Sequence, residues 1–180
     1  DNVYGRIPAI DLKISHTKER TETAESIEYD VVITTKTKFG SHSFRAYISV
    51  PKAKDPCPVF ELIQFPYQNT GMIKEKVLNR GYALARFYYP EVCTDDNNDF
   101  SGGIHAVVKE SDGVRKNNTW GAIASWAWAA SRVMDVVETI PEIDSSKAAL
   151  VGHSRTGKAS LWCGASDIRF GLVCSNESGC

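Results

Sequence analysis

Residues 148–158 read Ala-Ala-Leu-Val-Gly-His-Ser-Arg-Thr-Gly-Lys, and few backbones can carry that string. A short apolar run enters a glycine, a serine stands at the apex, and a second glycine opens a helical pattern from Lys158 to Ala165. That is the order of a strand, a sharp turn and a helix. In such an elbow the serine backbone is strained so that its hydroxyl stands above the edge of a sheet. Gly152 and Gly157 suit places where neighbouring backbone leaves no space for a side chain.

The remaining pattern supplies a sheet for this elbow. Residues 27–37, rich in Val, Ile and Thr, and the runs 43–50 and 59–65 predict strands, with a turn at Phe39-Gly40-Ser41. Residues 1–20 show no clean period and predict an irregular lead-in. Residues 72–80 predict a short helix stopped by Gly81, and the continuous apolar run 82–89 suits a buried parallel strand. Residues 90–118 are polar and rich in Asp, Asn and Gly, which predicts a long functional or mobile loop. Ile123, Ala127, Ala130, Met134, Val137 and Ile140 then recur at helical spacing until Pro141. Residues 170–174 predict a strand after the elbow helix.

Antiparallel strands followed by alternating strands and helices predict an α/β protein. The expected form is an α/β-hydrolase three-layer sandwich with a mixed, mostly parallel sheet. The pattern stops one strand after the elbow, whereas such sheets usually continue. Residues 1–180 are therefore expected to form a single incomplete catalytic domain, truncated before its final strands.

A net charge of −1 without a basic block points away from nucleic acid and anionic membranes as partners. No apolar run approaches the roughly 20 residues of a membrane helix. The five cysteines, Cys57, Cys93, Cys163, Cys174 and Cys180, form no CxxC pair, so no metal site is expected. Their irregular spacing suggests buried free thiols. Composition says nothing about oligomeric state.

A serine hydroxyl becomes a good nucleophile only when a base takes its proton and a third group orients the base. Four histidines are present. His153 adjoins Ser154 but should leave the turn in another direction. His16 falls in the lead-in, and His42 opens an early strand. His105, in the long loop, is the one with a conceivable route. The better expectation places the base beyond residue 180. Glu177 follows the strand after the elbow, at the carboxyl end where open α/β sheets keep their ligand crevice. A solvated loop glutamate is its equally weighted alternative. Arg155 and Lys158 put two cations within a turn of Ser154. Cations oppose the dipole at a helix N-terminus, so a functional reason for them gains weight. The backbone N–H after the nucleophile, here that of Arg155, normally donates to the oxyanion, and its guanidinium can add to that.

Gly152-His153-Ser154-Arg155-Thr156-Gly157-Lys158 resembles the Gly-x-Ser-Arg-x-Gly-Lys signature of the glucuronoyl esterases. The tryptophan-rich stretch 120–128 resembles a helix of bacterial members. Leu161-Trp162, residues 167–170 and residues 175–180 resemble the segment after the nucleophile there. The likeness covers roughly residues 80–180.

The resemblance implies Ser154 as nucleophile, Glu177 as triad acid, Arg155 at the oxyanion and Lys158 on sugar hydroxyls. It implies a secreted or periplasmic serine esterase with no cofactor. The implied substrate is the ester between 4-O-methyl-glucuronic acid of glucuronoxylan and lignin alcohols. The family's histidine has no counterpart in these residues, so this stretch alone is expected to be inactive. An acetyl xylan esterase and a non-catalytic carbohydrate binder of the same fold are the alternatives.

Overall fold

The computed structural model describes residues 4–179, and a seven-stranded mixed sheet organises them. Its strands are β1 (Lys13–Glu22), β2 (Ser26–Thr37), β3 (Gly40–Pro51), β4 (Cys57–Gln64), β5 (Ala83–Tyr88), β6 (Ile143–His153) and β7 (Phe170–Asn176). The helices are α1 (Thr70–Leu78), α2 (Tyr89–Val92), α3 (Gly103–Val107), α4 (Ala122–Val137) and α5 (Arg155–Ser166). Strand order is β1-β2-β3-β5-β4-β6-β7. The first three strands form an antiparallel meander, β3 joins β5 antiparallel, and β5, β4, β6 and β7 are parallel. A parallel connection needs a crossover, which explains why helices appear only after β4.

Alternation along the strands separates two faces. Val59 and Ile63 of β4, Ala83, Ala85 and Phe87 of β5, and Phe44, Ala46 and Ile48 of β3 share the main core. That core is completed by α4, whose Trp126, Ala130, Val133 and Val137 are buried, and by Ala159 and Cys163 of α5. The opposite face carries half-buried Tyr47, Phe60, Leu62, Arg86 and Tyr88, with α1 lying against β3 and β5. Burial of this kind is worth about 25 cal/mol per Å² of apolar surface, so α4, most of whose residues are buried, is a large contributor to stability.

Three sequence expectations change. The lead-in is not irregular throughout, because Lys13–Glu22 pairs along its whole length with β2. Every residue of β1 is exposed, so no hydrophobic alternation marked it. The long loop contains α2 and α3. Cys57, Cys93 and Cys163 are buried free thiols as expected, whereas Cys174 is exposed on β7, the edge strand of the described sheet; Cys180 lies outside the described residues. No helix among the described residues is long and apolar enough to cross a membrane.

Candidate active site

The parallel strands β6 and β7 run side by side, with His153 opposite Asn176 at their carboxyl ends. The next residue of each chain segment turns sharply. Ser154 has φ 55° and ψ −124°, and Glu177 has φ 47°. These are the only non-glycine residues with positive φ among those described. Left-handed backbone costs such residues on the order of 1–3 kcal/mol, and it persists where surroundings over-determine it.

The local contacts supply that determination. The Ser154 N–H donates to the Asn176 carbonyl at 2.8 Å, which ties the elbow to the segment before Glu177. The Thr156 hydroxyl accepts from the His153 N–H and donates to the His153 carbonyl, both at 2.9 Å. A Cβ on Gly152 would sit 2.2 Å from the Thr156 carbonyl oxygen, and one on Gly157 would sit 2.8 Å from the Ser175 hydroxyl oxygen. Both glycines are therefore demanded by close approach: the first lets the helix fold back on the strand, the second lets β7 draw near the helix.

Ser154 is half-buried and precedes α5 directly. The first N–H groups of a helix have no intrahelical acceptor, so the Arg155 N–H lies where an oxyanion would find a donor. Lys158 is half-buried one turn on, its N–H donating to the Ser154 carbonyl at 3.2 Å. Arg155 is exposed, and its guanidinium forms an ion pair with Asp95 of the long loop. Glu177 is exposed at the same end of the sheet as Ser154. Ser154 and Glu177 thus stand on one crest.

None of the four histidines hydrogen-bonds Ser154. His153 Nδ1 meets the Asn176 amide at 3.0 Å, with its ring edge-on to Phe65. His16 lies on exposed β1 and His42 on β3, with β5 and β4 between that strand and the elbow. His105 has no route to the serine, because its imidazole is buried against Phe100 and Trp120, with Nε2 at 3.2 Å from the Ser125 hydroxyl. Burial, with the Arg115 charge adding, pulls its pKa from 6.5 to about 4. No group of three or more metal-ligating side chains occurs among the described residues.

The family model for fungal glucuronyl esterases matches residues 33–180, which takes in the elbow and its crest. The chain belongs to the glucuronyl esterase family. A carbohydrate esterase from an unidentified prokaryote, MZ0003, is 46% identical over 59% of this chain and 24% of its own length. A 4-O-methyl-glucuronoyl methylesterase of Hypocrea jecorina is 29% identical over 88% of this chain and 29% of its own. Among solved structures, a glucuronoyl esterase from Solibacter usitatus superposes with a TM-score of 0.80 at 29% identity, covering 99% of this chain and 55% of that one. A CE15 glucuronoyl esterase from Teredinibacter turnerae gives 0.77 at 25% identity, with 98% and 48% covered. The chain therefore spans about half the length of these glucuronyl esterase structures and about a quarter of the two curated relatives.

Sequence reasoning missed two residues of this candidate site. Thr156 occupies an x position of the signature, yet its hydroxyl closes the turn. Asp95 sits in a run of similar residues, Asp95-Asp96-Asn97-Asn98-Asp99, that offered no means of selecting one.

Proposed function

We propose that the protein is a serine carboxylic-ester hydrolase acting on esters of 4-O-methyl-glucuronic acid in glucuronoxylan, with lignin alcohols as leaving groups. The observation that supports this most is the shared crest: a positive-φ serine at the end of β6 beside a positive-φ glutamate at the end of β7. In this reading the Ser154 Oγ attacks the ester carbonyl as its proton passes to a histidine base. In this reading the base is none of His16, His42, His105 and His153, since none of the four hydrogen-bonds Ser154 and His105 is buried against Phe100 and Trp120. Glu177 accepts a hydrogen bond from that histidine and stabilises its cationic form. The Arg155 N–H and guanidinium receive the negative oxygen of the tetrahedral intermediate. The alcohol leaves with the proton, and water then releases the uronic acid from the acyl-serine by the same route. Lys158 donates to sugar hydroxyls. No metal or organic cofactor takes part. The polymer substrate implies secretion.

Parallel assays on benzyl glucuronate and acetylated xylan, with the protein at its full natural length, test the reading. Turnover of the glucuronate ester with little acetate release is the expected outcome. Acetate release alone selects an acetyl xylan esterase, and no hydrolysis with retained sugar binding selects a non-catalytic binder.

A further inference from the structure

We infer that Asp95 is a positioning residue: its carboxylate fixes the guanidinium of Arg155 over the oxyanion site. The inference rests on the proposed role of Arg155 and adds the device that makes that role effective. Arg155 leaves the first turn of α5, exposed and with several freely rotating bonds. An arginine in that state would spend most of its time in solvent, and a donor contributes to a transition state only when it is already in place. Asp95 takes the Nη1 end of the guanidinium. Five N–H donors in a planar fork leave others to face an oxygen above Ser154.

Asp95 can act as an anchor because its own segment is pinned. Val92 and Cys93 are buried just before it. Beyond it, Arg115 stacks 3.4 Å above the centre of the Phe100 ring and donates to the carbonyls of Thr119 and Trp120 at 3.0 and 2.9 Å. His105 wedges between Phe100 and Trp120. Asp95 further lines a hollow of about 370 Å³ with Tyr4, Phe100, Arg115, Asn117 and Ile123, so one wall of that hollow carries the group that holds Arg155.

The test is a double-substitution cycle in the protein at its full natural length, assayed on benzyl glucuronate. Asp95→Asn and Asp95→Ala should lower kcat between about tenfold and about 100-fold, with KM changed less than about threefold. Asp95→Glu should recover part of the loss. In an Arg155→Ala background, Asp95→Ala should cost nothing further. An equal loss in both backgrounds, or an unaffected kcat in Asp95→Asn beside a damaged Arg155→Ala, overturns this inference alone. Unchanged kcat in Arg155→Ala overturns the role of Arg155 and this inference together.

Discussion

At the elbow, Gly152, His153 and Thr156 lie in one short stretch and constrain each other through contacts of three or four residues' separation, and β7 is tied on through the Ser154 N–H and the close approach at Gly157. The loop that faces it works differently: Asp95 reaches Arg155, Arg115 reaches Phe100, and His105 reaches Ser125, each across a wider span of chain. The elbow is a local solution repeated wherever a strand must deliver a hydroxyl to a sheet edge. The loop is a particular solution, held by pairs of polar and aromatic groups that only the folded chain brings together. Substitutions at the elbow should therefore be severe and specific, and those in the loop graded.

Glu177→Gln is the sharpest case. With the carboxylate lost but the shape kept, kcat on a glucuronate ester should fall by about 10³ to 10⁴, because the base loses its orienting charge. That loss exceeds the one expected from Asp95→Asn, and the reverse ranking would erase the distinction between the two regions. Gly152→Ala comes next. A methyl 2.2 Å from a backbone oxygen forces β6 and α5 apart, at a cost of about 3 kcal/mol or more in chemical denaturation.

This contrast also explains what could be read without coordinates. The elbow, the helix of residues 122–137 and the parallel strands were legible, because Gly-x-Ser spacing, helical periodicity and continuous apolar runs are local signals. β1 was not, since its ten residues are all exposed and it is held by backbone pairing to β2, which leaves no apolar pattern. His105 read as a remote base candidate from its place in a polar loop. Its neighbours Phe100 and Trp120 bury it, and sequence distance hid that. Asp95 was invisible for the same reason.

The two regions should separate by pH as well. On the loop side, burial holds the His105 pKa at about 4, below the 6.5 of an unfolded chain. The unfolded state thus takes up a proton first as pH falls, so stability present above pH 6.5 is lost between 6.5 and about 4. The loss is at most about 3 kcal/mol, and His105→Gln should flatten it in urea titrations. On the elbow side, Glu61 of β4 pairs in register with Leu150, just before the elbow. Its carboxylate is buried, neither oxygen has a partner among the described residues, and burial raises its pKa well above 4.5. Here the sign reverses: the contribution is full below pH 4.5 and is lost as pH rises through the folded value. Glu61→Gln should level the alkaline limb of a melting-temperature profile and leave the acid limb to His105. A profile in which each substitution alters the other's limb would show that the two regions are not independent.

The claim beneath all of this is that the hydroxyl at position 154 is the reacting atom. Incubating the full-length protein with a fluorophosphonate and mapping the adduct by mass spectrometry addresses it directly. The account predicts one adduct, on Ser154, absent in Ser154→Ala and slowed in Glu177→Gln. An adduct elsewhere, or ester hydrolysis that survives Ser154→Ala, would contradict it.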